Sequence, residues 1–204
     1  MKIKVLEESG YAYALFGIGL SYGLTSDIEN SGSIGNEVEL YNKLKGVADK
    51  LAHKGNGENK FLRQISVWLD ITAPRYWWIE FDTYKIGTTA QSESTMHTFH
   101  KKPFTRDMFE NEQFITDLDL EMLESYRTEK AVDRYILKNR LPESFLQRRI
   151  VSCNYAVLQN MIRQRYNHKL PEWRYFCRQI LSQVDHPYYL MKYERIKHAR
   201  TVDV

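Results

Sequence analysis

Residues 138–174 read KNRLPESFLQRRIVSCNYAVLQNMIRQRYNHKLPEWR, and from Ile150 to Tyr166 the apolar residues recur with a helical period. At 100° per residue, Ile150, Val151, Tyr155, Val157, Leu158, Met161 and Ile162 share one broad stripe, with Gln159 and Arg163 on the far side. Asn154 and Arg165 fall near the centre of that stripe, about 20° apart in projection. A polar group at the centre of an apolar face is desolvated and must find a partner. A ligand meets that need, and so does a neighbouring carbonyl or carboxylate; the helix by itself leaves both open.

A chain of 204 residues is long enough for one sizeable domain and short for two. With 43% hydrophobic and 27% charged residues the composition is that of a soluble globular protein, and no apolar run approaches a membrane span. The opening MKIKVLEE is a charged, strand-like segment without the apolar core of a signal peptide. The two cysteines, Cys153 and Cys177, lie in helical patterns without metal-site spacing, which points to a reduced, cytoplasmic setting. A formal charge of +3 is too small to argue for nucleic acid.

Outward from the quoted stretch, residues 2–7 alternate Ile3 and Val5 against lysines, as in a half-buried strand. Residues 11–24 are apolar and aromatic with three glycines, and fit either a short helix or a packed loop. Residues 25–35 read as a loop, and 37–53 as an amphipathic helix stopped by KGNGEN. The alternation of Ile65, Val67, Leu69 and Ile71 makes 61–71 the clearest strand. Pro74 then ends it or opens a helix over 75–85, whose Trp77 and Trp78 read first as core and second as base-stacking surfaces. Residues 86–99 form a hydroxyl- and amide-rich loop, 117–140 a long charged helix, and 171–184 a helix opened by proline. The tail at about 186–204 clusters Lys192, Arg195, Lys197 and Arg200, and reads as a solvated basic segment of a single domain over 1–204.

There is no phosphate loop, and Gly17–Ile18–Gly19 is too little for a dinucleotide fingerprint. His97 and His100, with Glu93 before them, fall short of a metal site, so no metal is expected. No base is identifiable beside Ser92 or Ser94 for nucleophilic catalysis.

Two blocks make the chain resemble a divergent flavin-dependent thymidylate synthase, the family that methylates dUMP with FAD, NADPH and methylenetetrahydrofolate. In the first, a strand passes through a proline to a helix and then a serine-rich loop, as in Ile71, Ala73–Pro74, the helix to Lys85 and the loop beyond. In the second, the family has a basic residue four before a proline, an asparagine twelve after it, often a second asparagine six further on, and an arginine eleven after the first. Lys138, Pro142, Asn154, Asn160 and Arg165 meet that spacing without a gap. The degree of divergence is similar to that of bacteriophage members.

The resemblance implies an α+β fold, a small mostly antiparallel sheet flanked by helices, and a homotetramer whose sites draw on several subunits. It also implies Arg165 and Lys138 on the nucleotide phosphate, Gln91 beside the base with Ser94 as the catalytic serine, and Tyr84, Lys85, Asn154 and Asn160 on the flavin. There are departures, and the lost arginines are ones that in the family help hold the flavin. The family's Arg-His-Arg becomes Thr83, Tyr84 and Lys85; its following Ser, Asn and Glu become Thr88, Ala90 and Gln91; and Ser94 matches only after a one-residue shift. Gly57–Glu58 replaces a Gly-His pair and Ala156 an arginine. Each lost arginine removes charge-assisted hydrogen bonds of ~1.5 to 3 kcal/mol.

Two functions follow. One is a flavin-dependent transferase that methylates, or adds one carbon to, dUMP or a related pyrimidine nucleotide. The other is a non-catalytic nucleotide-binding protein on the same scaffold. The asparagines favour the first and the lost Arg-His-Arg the second. Contact of the basic tail with nucleic acid is a weaker third reading, and it would require a steep salt dependence of binding.

Overall fold

β2 (Ser66–Pro74) carries the alternation seen in the sequence: Val67, Leu69, Ile71 and Ala73 are fully buried while Trp68 faces out. It starts later than the pattern suggested, because Lys60–Arg63 winds into a 3-10 turn that buries Phe61 and Leu62. Pro74 keeps an extended backbone and then opens a helix, Arg75–Phe81. That order follows from proline's fixed φ and missing N–H, which suit a helix start.

The computed structural model describes residues 1–24, 34–55, 57–129 and 134–192, without the side chains of 34–40 and 134. In chain order the elements are β1 (Lys2–Ser9), α1 (Tyr11–Ser21), α2 (Ile34–Leu51), β2, α3 (Arg75–Phe81), β3 (Thr89–Ser92), α4 (Thr95–Thr98), α5 (Asp117–Thr128), α6 (Arg134–Arg140), β4 (Leu146–Asn154), α7 (Tyr155–Arg165), α8 (Pro171–Gln183) and α9 (Pro187–Leu190). The strands form an antiparallel four-stranded sheet in the order β1-β2-β4-β3, and the fold is α+β as expected.

The largest correction falls on the stretch quoted first. Residues 150–166 are not one helix: β4 runs to Asn154 and α7 begins at Tyr155. A short apolar run fits both periods, and here pairing decides. Arg75 N–H donates to Phe145 O at 3.2 Å at one end of β4, and Tyr155 N–H donates to Ile65 O at 3.0 Å at the other. Of the two alternatives for the segment at 11–24, the helix forms, over 11–21. Two smaller differences accompany the correction. The loop at 86–99 contains β3 and α4, and the helix expected over 117–140 divides into α5 and α6, with Glu129 in extended conformation after the first. Most of the basic tail, with Arg195, Lys197 and Arg200, lies outside the described residues, as does most of the loop at 25–35.

The described residues group into two compact units. One takes those of Met1–Ile3, Asp70–Lys85 and Thr89–Val151; the other takes those of Lys4–Leu69, Ile86–Thr88 and Ser152–Val204. The first is built on an aromatic cluster in which Phe104, Phe109 and Phe145 pack edge to face or tilted around Leu123, Leu137 and Leu141. A capping box, Thr116 with Asp119, starts α5. Trp77 and Trp78 are buried against each other and Phe81, and Trp78 Nε1 donates to Gln147 O at 2.9 Å. Both are core, as their first reading had it.

In the second unit Gly10, at φ 87, lets the chain turn into α1 where a Cβ would lie 2.4 Å from Gln64 O. Tyr155, fully buried, donates its hydroxyl to Glu8 and accepts from His186 N–H at 3.2 Å. Burial pushes Glu8 above the usual carboxylate range and the Tyr155 hydroxyl above its own. Along α8, Trp173, Phe176, Cys177 and Ile180 are fully buried. Among the described residues no helix is long and apolar enough to cross a membrane.

Cys153 and Cys177 are buried free thiols, each pushed up to about 12 by desolvation. The thiolate is the reactive form. Neither cysteine should therefore react with a thiol-specific dye at pH 8 in the folded protein, while both react at once in denaturant.

Candidate functional site

Asn154 is placed by the change of period. Val151 and Cys153 bury one face of β4, and Tyr155, Leu158, Met161 and Ile162 carry that burial into α7. Between them Asn154 stays extended, and its Oδ1 accepts the Val157 N–H at 3.1 Å. It is an N-cap, worth about 1 kcal/mol. The polar residue that looked misplaced on an apolar stripe is therefore satisfied at a helix end, and the stripe it was projected onto ends there.

The other edge of Asn154 meets Gly87. That glycine has φ 78, and a Cβ on it would stand 2.8 Å from Val157 Cγ2 and 3.4 Å from Asn154 Nδ2. A bare backbone is thereby held against the start of α7. Nothing in the sequence around Gly87 marked it beyond being a glycine in a polar loop, since the contact depends on a segment about seventy positions away.

Further along α7, Asn160 Oδ1 accepts from Arg163 Nη2 at 3.0 Å and from Gln164 Nε2 at 3.1 Å. Its amide is oriented by this shared acceptor. Arg165 closes the helix, where the dipole favours a cation. Its guanidinium carbon lies 4.9 Å from the ring centre of the buried Trp173, and Nη1 donates to His168 Nε2 at 2.8 Å. A guanidinium stacked on one side and tethered on another is held in one orientation. His168 and Trp173 were missed in the sequence, although their offsets of three and eight from Arg165 belong to a helical face turning into the next helix.

The remaining predicted residues belong to the first unit. Tyr84 is half-buried just after α3, and Lys85 next to it is exposed. Gln91 is on β3, whose four residues are all exposed, and Ser94 caps α4 through its backbone, its O accepting from His97 N–H and the Thr98 hydroxyl. Lys138 is exposed on α6, one residue after the buried Leu137. Thr83, where the family has an arginine, gives its hydroxyl to Glu80 O at 2.7 Å. A second arginine cluster was not foreseen: Arg149 lies 4.2 Å over the Trp78 ring and 2.7 Å from Asp82, while Arg148 forks onto Asp70 at 2.8 and 2.5 Å. Both of these arginines are bound to carboxylates.

The chain has the fold of flavin-dependent thymidylate synthases. Two crystal structures of one such enzyme, ThyX from Helicobacter pylori, with FAD and dUMP, are similar to it over nearly its whole length. Their TM-scores are 0.71 and 0.72, each at 16% identity, over 94% and 97% of this chain and 98% and 100% of theirs. The UMP/dUMP methylase PolB from Streptomyces cacaoi, bound with 5-Br dUMP, aligns at TM-score 0.63 and 12% identity over 89% of this chain and 88% of its own. No family model matches the sequence, and neither does any curated protein.

The donor set fits a flavin in part. Asn154 and Asn160 each already use the amide oxygen as an acceptor within the chain, so it is their Nδ2 groups that could donate to a ring. For the cofactor's diphosphate, Lys85 is the one cation at positions 83–85, and Ala156 adds none.

Gly87→Ala should cost about 1–2 kcal/mol in urea denaturation, from the left-handed backbone and from the clash with Val157. In a Val157→Ala background the steric part is relieved and the backbone part remains. The two substitutions are thus non-additive.

Proposed function

We propose that the protein is a flavin-dependent transferase that methylates, or adds another one-carbon unit to, dUMP or a related pyrimidine nucleotide. The observation that carries the reading is Arg165, fixed by Trp173 and His168 at the end of a helix whose start is capped by Asn154. It sits in the register Lys138, Pro142, Asn154, Asn160, Arg165, on a scaffold whose neighbours were crystallised with dUMP or its 5-bromo analogue.

Arg165 would take the nucleotide phosphate through its fork, and Lys138 would serve phosphate as a point charge. Gln91 offers both a donor and an acceptor for the base edge, and Ser94 a hydroxyl to polarise it. On the flavin side Asn154 and Asn160 would face the ring, with Tyr84 beside it and Lys85 on its phosphates. FAD, when bound, supplies hydride drawn from NADPH, and methylenetetrahydrofolate supplies the carbon. The chain's own part is to hold the pyrimidine in register and to keep the phosphate neutralised. A homotetramer, with sites shared between subunits, belongs to the same reading, as does a cytoplasmic location.

The second reading, a nucleotide-binding protein without redox chemistry, is favoured by one observation: Thr83 spends its hydroxyl on its own helix end. The two differ in turnover. Protein supplied with FAD, NADPH and methylenetetrahydrofolate should release tritium from dUMP labelled at C5, and absence of release with dUMP bound would favour the second reading. Arg165→Ala should weaken dUMP binding about 10- to 100-fold, from the loss of a charge-assisted pair. Its circular dichroism should not change; an unfolded variant would make Arg165 a structural residue.

A further inference from the structure

The second unit holds a cleft of about 540 Å³, on a side of α7 other than the one that carries Arg165. Arg163 lines it, and two residues at 100° each put Arg163 about 160° around the helix from Arg165. The size suits a small molecule.

Its floor is rigid. Gln159 Nε2 donates to Ala52 O at 2.8 Å and to Tyr189 O at 2.6 Å, while its Oε1 accepts from Asn59 Nδ2 at 3.2 Å. One side chain thus ties the end of α2, the turn before β2 and α9 together, and the cleft cannot collapse without breaking those bonds. Ile162, Leu190 and Met191 form an apolar wall.

Its rim is cationic. Lys54, Arg163 and Lys192 all line the cleft, and none of the described residues lining it is acidic. Lys54 pairs with Glu58 at 3.0 Å, but both side chains are half exposed, so the pair is weak and exchangeable. Arg163 donates to a neutral group, the Asn160 amide oxygen, at 3.0 Å. His53 donates from Nε2 to Tyr188 O at 2.6 Å, and burial, with Lys192 nearby, holds it below its ordinary value. A concave site lined by one sign of charge concentrates the opposite ion.

We propose that this cleft binds a phosphorylated small molecule, with Lys54, Arg163 and Lys192 around the phosphate and Ile162, Leu190 and Met191 against the apolar portion. The site is separate from the nucleotide contact assigned to Arg165 and does not depend on that assignment.

The test is a titration of the full chain with hexyl phosphate and with inorganic phosphate, followed through the His53 ring protons by NMR and assigned with His53→Gln. Hexyl phosphate should shift the His53 signals saturably and bind at least about tenfold more tightly than inorganic phosphate, because its chain covers the apolar wall. Arg163→Ala should weaken binding about tenfold, Arg163→Lys should restore most of it, and Arg165→Ala should leave it unchanged. Absence of a saturable shift at His53 would overturn the proposal. So would loss of binding in Arg165→Ala with Arg163→Ala unaffected, since the anion would then sit at the nucleotide contact. Equal affinity for the two phosphates would overturn the apolar half.

Discussion

Asn160 and Arg165 are hung on the junction at Asn154, where a strand that buries alternate residues becomes a helix that buries every third or fourth. The junction is held from both directions. The Tyr155 N–H is spent on Ile65 O, and the Val157 N–H on the Asn154 side chain. With those two donors satisfied the first turn of α7 is held, and Asn160 and Arg165 follow along the helix at its pitch. The buried Tyr155 beneath, bonded to Glu8, keeps the first turn from rolling.

That junction also shows how far the sequence could be read. The strand at 66–74 and the helices at 34–51 and 171–183 announced themselves, because the sequence of each keeps one period. Residues 150–166 did not, because their apolar positions satisfy a period of two as far as Cys153 and a period of 3.6 afterwards, and a projection taken across both merges them. The projection still marked Asn154 and Arg165, for a reason it did not contain. One is an N-cap and the other a cation stacked on Trp173, so each has a protein partner. Gly87, whose importance comes from a contact far along the chain, carried no local signal, and the only sign of His168 was its offset of three from Arg165.

The chemistry turns on how few cations remain on the flavin side. In the proposed reading the phosphate falls to Arg165, stacked on Trp173, and to Lys138, which is exposed. The flavin side of that reading would rest on Asn154 and Asn160, with lysine as the one cation at 83–85 and alanine at 156. The arginines that this chain has nearby in sequence, Arg148 and Arg149, are committed to Asp70 and Asp82. A cofactor held by hydrogen bonds to its ring rather than by charge on its phosphates would bind less tightly, yet it would stay close to the nucleotide on which it acts. Such a protein depends on nucleotide and flavin together more than one with a full set of arginines.

The most direct measurement is an absorption spectrum of the purified chain titrated with FAD in the presence of dUMP, read again after desalting. A flavin band retained at one per subunit and bleached by NADPH is the predicted result. FAD that washes away completely, while dUMP still raises the melting temperature, would contradict the account and leave a nucleotide-binding protein on an enzyme's scaffold.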